Sequence, residues 1–297
     1  MELTTIRQFV HVAESGSFVG GARRSHVTPP AITKAIKKLE AELETALFFR
    51  TTRRVRLTAA GEVLLARCQR ILREVEAARA ELDGLSGGVS GELRIAANEV
   101  LSLSLLPKAI ARLVGEHPGV RPRCYEMVPG RFEPLLVEGR LDLACTIGGR
   151  GHPELRQIVL GHSPGCLVCG PTHPLFARGS ICEAEIERYP SVVPEFFDLE
   201  HLPVLDQFPD SRWPRRVGAT IELLQMGVQL TLDGAYLGFF PRVSIAEHLA
   251  AGRLRALDGL EQQVSFALSV VVRANETPRP ACAALIEALR LEARALL

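Results

Sequence analysis

The chain has 297 residues, more than one ordinary hydrophobic core accommodates, and this length predicts two or three domains. Hydrophobic residues make up 47% and charged residues 23%, proportions that exclude an intrinsically disordered protein. No apolar run approaches the roughly 20 residues of a membrane helix, and the first residues lack the features of a signal peptide. We therefore expect a soluble cytoplasmic protein. Its seven cysteines, without a secretory signal, indicate reduced thiols rather than a disulfide framework.

The net charge of +1 is unevenly distributed along the chain. Residues 1–60 contain ten Lys and Arg side chains against five Asp and Glu, a balance of +5, so the remaining 237 residues carry −4. A basic segment ahead of a mildly acidic body favours an anionic partner at one end of the molecule. A solvated basic face would give the same composition, so the charge alone leaves both interpretations open.

The first 60 residues are predicted to form three short helices and a β-wing. Apolar residues recur at helical spacing over 3–14, and a second short helix follows Ser17, its predicted N-cap. A third helix runs from the prolines after Thr28 to about Glu44. Two β-like runs over 47–57 then surround a basic, threonine-rich tip. This order is typical of a winged helix-turn-helix domain.

The third helix and the wing carry the residues that we assign to DNA. An α-helix fits the major groove, where its first residues reach base edges, while flanking Lys and Arg side chains neutralise phosphates. A protein-binding three-helix module would share the apolar pattern but would not need a wing rich in arginine beside a lysine-bearing helix. The predicted DNA-binding residues are Thr28, Pro29, Pro30, Thr33, Lys34, Lys37, Lys38, Arg50, Thr51, Arg53 and Arg54.

An ordered set of residues over 9–61 matches the pattern of a known family. The matching residues are Phe9, Ser15-Gly16-Ser17-Phe18, Ala22, Val27-Thr28-x-Pro30-Ala31-Ile32-Thr33-Lys34-x-Ile36, Leu39-Glu40, Leu43, Leu47-Phe48-x-Arg50 and Leu57-Thr58-x-Ala60-Gly61. With this set the chain resembles the LysR-type transcriptional regulators. It departs at Pro29, where the family usually has a glutamine that contacts DNA. Because the proline side chain has neither donor nor acceptor, base readout there can only be apolar.

Residues 61–90 are predicted to form a long helix that ends in a glycine-rich hinge, with Thr58 as the N-cap. Its apolar residues alternate at steps of four and three, the heptad pattern of a coiled coil. A helix packed only on its own domain would show a broader apolar stripe, so pairing with a second subunit is favoured. The predicted dimerisation residues are Leu64, Cys68, Ile71, Val75, Ala78 and Leu82.

Residues 91–297 alternate between predicted strands and helices, and the order βαβαβ at their start implies a parallel sheet. We expect two lobes, the first over about 91–162 and 266–297 and the second over about 163–265. The predicted elements are strand 92–97, helix 103–115, strand 120–127, helix 131–138, strand 141–147, helix 221–232, strand 236–240, strand 266–273 and helix 278–296.

Two further matches, Leu105-Leu106-Pro107 and Gly139-Arg140-Leu141-Asp142-Leu143-Ala144, extend the resemblance into this region. The effector domain of LysR-type regulators resembles the periplasmic binding proteins. The resemblance therefore implies an α/β fold with a winged helix-turn-helix, a linker helix and a two-lobed effector domain. It also implies promoter DNA, a small-molecule effector and a homodimer or homotetramer, with RNA polymerase as a further partner. We expect no cofactor and no membrane partner.

The effector cleft is expected where the carboxyl ends of strands from the two lobes face each other. The family often uses hydroxyl residues at the positions of Asn98 and Val100 to hold carboxylate effectors. Here Val100 cannot donate or accept a hydrogen bond, and Glu99 would repel an anion. Three alternatives follow: Glu99 turns away, it becomes protonated on binding, or the effector is neutral or cationic. The mostly apolar candidates favour a neutral, partly hydrophobic effector. The predicted effector-binding residues are Asn98, Glu99, Val100, Leu101, Ser102, Val128, Pro129, Thr146, Pro194, Glu195 and Phe239.

Zinc binding is a further hypothesis, because Cys166, Cys169, His173 and Cys182 are zinc-ligand types. However, Cys166 and Cys169 fall in an apolar run with strand character, where residues three apart point to opposite faces. Zinc knuckles also need a turn between their ligands, and the intervening Leu-Val is not a turn sequence. Buried thiols are therefore predicted instead.

No catalytic motif is recognisable, so we expect a regulator rather than an enzyme. Two alternatives from other classes stay open. One is a DNA-binding repressor whose C-terminal domain only oligomerises. The other is a solute-binding or enzymatic α/β protein whose helical head does not bind DNA.

Overall fold

The computed structural model of the chain describes residues 1–50, 55–85, 88–148, 151–195, 206–258 and 264–296. The chain divides into two compact units, residues 1–89 with 137–140 and residues 90–136 with 141–297. None of the helices in the described residues is long and apolar enough to cross a membrane.

The first unit contains a helical head, a short hairpin and a long helix, in the predicted order. Both predicted N-caps are present: Oγ of Ser17 accepts from the N–H of Gly20 at 3.3 Å, and Oγ1 of Thr58 accepts from that of Gly61 at 3.0 Å. The elements are α1 (Leu3–Ser15), α2 (Phe18–Arg24), α3 (Pro29–Glu42), β1 (Phe48–Arg50), β2 (Val55–Leu57) and α4 (Ala59–Leu85). β1 and β2 pair antiparallel, as expected for a wing.

A single apolar core joins the head helices to the hairpin. The ring of Phe48 in β1 lies 5.4 Å from that of Phe9 in α1 and 5.6 Å from that of Phe18 in α2, measured between centroids. α3 contributes a fully buried row, which includes Ile32 and Ile36. Such tilted and edge-on aromatic contacts add to the stabilisation that comes from burying the rings. The buried side of α3 is therefore fixed towards the core, and its opposite side faces outwards.

Close approach of α1 and α2 depends on Gly21. A methyl group added at this glycine would lie 2.5 Å from Cγ2 of Val12 and 2.8 Å from its Cα. Backbone atoms cannot move aside as the end of a flexible side chain can. Only glycine therefore allows the two helices to approach this closely.

We expect Gly21→Ala to lower the free energy of unfolding of the head by about 1–3 kcal/mol, since overpacking forces the helices apart. Gly115→Ala is the control, because a methyl group at this helical glycine meets no atom within 4 Å. Urea denaturation followed by circular dichroism measures both. Equal stability of Gly21→Ala and the unmodified protein would contradict the close-approach argument.

The second unit contains one mixed sheet covered by helices. Its elements are β3 (Ser90–Ala97), α5 (Glu99–Ser102), α6 (Leu105–Glu116), β4 (Gly119–Glu126), α7 (Phe132–Val137), β5 (Leu143–Ile147), β6 (Leu155–Cys169), α8 (Glu183–Arg188), β7 (Pro190–Pro194), β8 (Arg216–Ile221), α9 (Leu224–Leu232), β9 (Leu237–Pro241), α10 (Arg242–Ala250), β10 (Arg255–Ala256), β11 (Ser265–Arg273) and α11 (Pro280–Leu296). The strand order is β4-β3-β5-β11-β6-β9-β7-β8, and β10 pairs with β6.

The strands fall into two parallel groups. β3 pairs parallel with β4 and β5, which confirms the predicted βαβαβ sheet, and β7 pairs parallel with β8 and β9. β6 and β11 are antiparallel to each other and link the two groups. We name the half with β3–β5 lobe I and the half with β7–β9 lobe II. The predicted boundary between residues 162 and 163 falls inside β6, which continues from one lobe into the other.

Several parts of the second unit differ from the prediction. The helix predicted over 103–115 is present as α6, but residues 99–102, for which no element was predicted, form the short helix α5, and Ser104 with φ −116° and ψ −82° separates the two helices. Pro107 lies in the first turn of α6, where a missing N–H costs no intrahelical bond. Residues 176–217, for which we predicted no element, contain α8, β7 and the first residues of β8.

Cys166 and Cys169 are separate, buried thiols as predicted, whereas Cys182 is exposed and its predicted burial was wrong. Cys166 packs into one apolar cluster of lobe II and Cys169 into another, as expected for residues three apart on a strand. No group of residues suited to holding a metal ion occurs within the described ranges. Burial raises the pKa of the thiols of Cys68 and Cys169 to about 11 and that of Cys282 to about 12.

We expect iodoacetamide to modify the exposed Cys182 before these three thiols when the native protein is treated at neutral pH. A raised pKa lowers the thiolate fraction, and only the thiolate attacks the reagent. Mass spectrometry of the digested protein gives the site of modification, and labelling in urea provides the control in which all seven cysteines react. Rapid modification of Cys68 in the native protein would show that the core around it opens readily.

Candidate functional site

The outward side of α3 presents a row of basic residues. Lys34, Lys37 and Lys38 are exposed, whereas Ile32 and Ile36 of the same helix are buried in the core. Positions three and four apart lie on the same side of a helix, so the three ammonium groups share one face. A helix with this charged face has the dimensions and the charge that the major groove of DNA accepts.

The start of α3 adds polar and apolar contacts to this face. Thr28, Pro29 and Pro30 are all exposed at the N-terminus of the helix. The Thr33 hydroxyl donates to the carbonyl of Pro29 at 2.7 Å, so it has only its oxygen lone pairs to offer another molecule.

The other predicted DNA-binding residues belong to the wing. Arg50 ends β1, and its side chain lies outside the described residues, as do Thr51, Arg53 and Arg54. The sequence analysis did not assign Arg23 to this site, although it is exposed in the last turn of α2, the helix that precedes α3 in the chain. Its signal was the pair of arginines that directly follows Ala22, where the second helix was predicted to end.

The predicted dimerisation residues fall into two groups, one up to Cys68 and the other from Ile71 onwards. Cys68 is fully buried in the head core, which corrects its assignment to a subunit interface, and Leu64 packs against the same core but is only partly buried. These two residues face α1 and the hairpin because the first turns of α4 belong to the head. Farther along the helix Ile71 is 39% exposed, Val75 is half-buried and Ala78 is exposed. The seam from Ile71 onwards, which also includes the exposed Leu82, stays a prediction.

A cavity of about 330 Å³ lies between the two lobes of the second unit. Strands of both lobes end at its wall: β3 leads to Asn98, β4 to Val128, and β9 ends at Pro241. The volume falls within the range of small-molecule sites in proteins. This is the position at which ligands bind in open α/β sheets.

Seven of the eleven predicted effector residues line this cavity: Asn98, Glu99, Val100, Val128, Pro129, Pro194 and Phe239. The other four lie beside the cavity without forming its wall. Leu101 is fully buried in the core, and Ser102 donates its hydroxyl to the Glu99 carbonyl. Thr146 and Glu195 are adjacent to Ile147 and Pro194, which line the wall, and side chains alternate between the two faces of a strand.

The Asn98 side chain is already engaged within its own loop. Its Oδ1 accepts from the N–H of Leu101 at 3.3 Å and so caps α5, which is only four residues long. Residues 98–102 therefore form a capped helical turn ahead of α6, and the side chain of Asn98 occupies one of the N–H groups that an anion would have used.

The cavity also has lining residues that the sequence analysis missed. They are Glu126, Met127, Arg131, Ile147, Val192, Asp206, Ile221, Glu222, Leu223, Leu224, Phe240, Pro241 and Phe266. Several lie at or directly after the end of a predicted strand, as Met127 and Pro241 do, and that position was the available signal. The residues from β7, β8 and the loop after β8 could not be found in this way, because neither strand was predicted.

Two acidic residues of the cavity wall are held in ion pairs. Asp206 is bound by the buried guanidinium of Arg215, which also binds Asp210 at 2.7 Å. Burial by itself lowers the pKa of Arg215, but its hydrogen bonds to Asp210 and Asp206 raise the pKa above the usual value overall. Glu222 of lobe II pairs with Arg131 of lobe I at 3.6 Å, and both side chains are exposed.

Glu99 lies on the cavity wall, and its carboxylate is engaged by the opposite lobe. Its carboxylate oxygens accept hydrogen bonds from the N–H groups of Leu224 and Gln225 at the start of α9, the second at 2.9 Å. The rest of the wall is mainly apolar and includes Val100, Ile147, Phe239 and Phe266. Apolar side chains thus form most of the surface that a bound molecule would contact.

The chain matches two family models. The model for the bacterial regulatory helix-turn-helix protein of the lysR family matches residues 3–62, and the model for the LysR substrate binding domain matches residues 86–294. The SDS degradation transcriptional activation protein of a Pseudomonas species is 32% identical over 291 residues, which cover 96% of this chain and 94% of the relative.

Solved structures share the fold. Full-length OxyR from Pseudomonas aeruginosa is 22% identical with a TM-score of 0.74, and the comparison covers all of this chain and 95% of that one. Full-length CbnR in complex with its target DNA is also 22% identical, with a TM-score of 0.66 over 98% of this chain and all of the other. Because the two family models together cover nearly the whole sequence, the chain belongs to the LysR-type transcriptional regulators, which are DNA-binding proteins with a C-terminal ligand-binding domain.

Proposed function

We propose that this regulator binds promoter DNA as a homodimer or homotetramer through the exposed face of α3 and the wing. The observation that carries the DNA assignment is the row Lys34, Lys37 and Lys38 opposite the buried side of α3. We assign sequence readout to the first turns of α3, and phosphate contacts to Arg50, Arg53 and Arg54 of the wing. Two linked heads would bind the two half-sites of an inverted repeat.

We infer that the cavity between lobes I and II binds a small uncharged, partly apolar effector. The supporting observation is its mainly apolar wall, in which Asp206 and Glu222 are paired with arginines and Glu99 caps α9. Because these acidic groups are engaged, they are poorly placed for proton transfer, and we propose that the site binds its ligand without transforming it. The protein then acts in the cytoplasm, where promoter DNA and RNA polymerase are found.

Footprinting on the DNA upstream of its own gene, with and without candidate metabolites, tests this function. A regulator of this kind protects a discrete site, and its affinity for DNA falls steeply with salt because bound counterions are released. A protein whose second unit only oligomerises would show neither a ligand-dependent footprint nor a ligand-induced rise in Tm. Absence of any salt-dependent DNA binding would contradict the assignment of the head.

We expect Lys34→Ala to weaken binding of the cognate site by about 1–3 kcal/mol and to leave affinity for random DNA nearly unchanged, because Lys34 lies one turn into α3 and reaches base edges. Arg54→Ala should weaken all sequences similarly and reduce the salt dependence. Fluorescence anisotropy at several salt concentrations measures both, with the exposed Lys108 of α6, changed to Ala, as the control of equal charge. Equal losses on cognate and random DNA for Lys34→Ala would contradict base readout.

We expect Val75→Glu to dissociate the oligomer, since an unpaired carboxylate at a buried helix interface has no compensating partner. DNA affinity should fall with it, because two linked heads gain from their effective concentration. Sedimentation velocity gives the oligomeric state, and Val63→Glu, the same substitution at an exposed position of α4 outside the seam, is the control. An intact oligomer of Val75→Glu would rule out the seam from Ile71 onwards as the subunit contact.

A further inference from the structure

The first turn of α9 has no capping group of its own. The residue at its N-cap position is Leu223, whose side chain makes no capping hydrogen bond. The free N–H groups at the start of a helix need an acceptor, which Ser, Thr, Asp or Asn usually supplies from this position. Leucine cannot supply one, so α9 takes its acceptor from elsewhere in the chain.

Glu99 provides the missing acceptor from the opposite lobe. It lies at the start of α5 in lobe I, 125 residues earlier in the chain than Leu224, and its two oxygens accept from the N–H groups of Leu224 and Gln225. A carboxylate at a helix N-terminus is also stabilised by the helix dipole. One half-buried side chain thus connects the two walls of the cavity.

A second polar contact joins the lobes at the same place. Arg131, which follows β4 in lobe I, pairs with Glu222, two residues before α9. Both side chains are exposed, and exposed ion pairs contribute little by themselves. The Glu99 contact is the better protected of the two, so we assign it the larger share in holding the lobes together.

We propose that Glu99 is a latch that closes the cavity by capping α9 across the cleft, and that it selects uncharged ligands by occupying the N–H groups that a ligand anion would use. The inference rests on the proposed role of the cavity as the effector site. A ligand carboxylate or sulfonate meets the fixed charge of Glu99 and finds those two donors taken. An uncharged apolar molecule contacts the remaining wall and leaves the latch in place.

Hydrogen exchange in the full-length protein tests the latch without a ligand. We expect Glu99→Ala to speed amide exchange in the segment 222–226 by at least about tenfold, since the protecting hydrogen bonds are gone. Glu116→Ala, which removes the same charge from the exposed end of α6, should leave this segment unchanged. Glu99→Gln keeps an acceptor without the charge and should give an intermediate rate. Equal exchange in all four proteins would overturn the latch.

Two dyes with the same ring skeleton test the selection of charge. N-phenyl-1-naphthylamine is uncharged, and 8-anilino-1-naphthalenesulfonate is its sulfonate. We expect the unmodified protein to bind the uncharged dye at least about tenfold more tightly, as judged by fluorescence titration. Glu99→Gln should lower this ratio of affinities between the uncharged dye and the sulfonate, whereas Glu116→Gln should leave it unchanged. If the unmodified protein binds both dyes with equal affinity, or if both variants change the ratio of affinities by the same factor, the proposed selection against charged ligands is wrong.

A third variant separates this inference from the proposed function. Val128→Trp fills the cavity from the loop after β4 and should abolish binding of the uncharged dye. If the dye binds this variant as it binds the unmodified protein, the cavity is not the ligand site and the proposed effector function fails, whereas the exchange experiment still decides the latch. If Val128→Trp blocks the dye but Glu99→Gln leaves the ratio between dyes unchanged, only the selection by Glu99 fails.

Discussion

The antiparallel pairing of β6 with β11 and β9 determines where the ligand cavity forms. β5 and β6 are both antiparallel to β11, so they run in the same direction, whereas β9 is antiparallel to β6. The strands of lobe I therefore run towards lobe II, and those of lobe II run towards lobe I. Their carboxyl ends meet halfway along β6, where Ile147 and Pro241 come close to the shared strands. Side chains at these ends are the ones that line the cavity.

In the head, the aromatic core determines where the DNA-binding face lies. Phe9, Phe18 and Phe48 bring together α1, α2 and the hairpin, and α3 adds its buried row to the same cluster. Because Ile32 and Ile36 must face this core, the lysines between and beside them are turned outwards. The DNA-binding face is therefore a consequence of hydrophobic packing rather than of contacts among the basic side chains themselves. Gly21 preserves the arrangement by keeping α1 and α2 close.

Three acidic side chains of the cavity wall are compensated by contacts with other parts of the fold. Arg215 neutralises Asp206 within lobe II, whereas Arg131 and the start of α9 engage Glu222 and Glu99 from opposite lobes. Buried or half-buried charges are costly unless they find partners, so the contacts of Asp206 and Glu99 each remove such a penalty, whereas the exposed pair of Arg131 and Glu222 contributes little. The same contacts leave the interior apolar, and they connect the nature of the ligand to the arrangement of the two lobes.

The sequence alone determined the winged head, the long helix and the parallel sheet of lobe I, because these depend on local periodicity, caps and turns. It also placed seven residues on the cavity wall, five of them because they follow strands that short-range patterns predict. Three features depended on tertiary structure. Cys68 fits a heptad seam but is buried by the head core, and β7 and β8 lack strong alternation of their own. The capping of α9 by Glu99 joins positions 125 residues apart, and no local pattern encodes a contact that exists only when the two lobes come together.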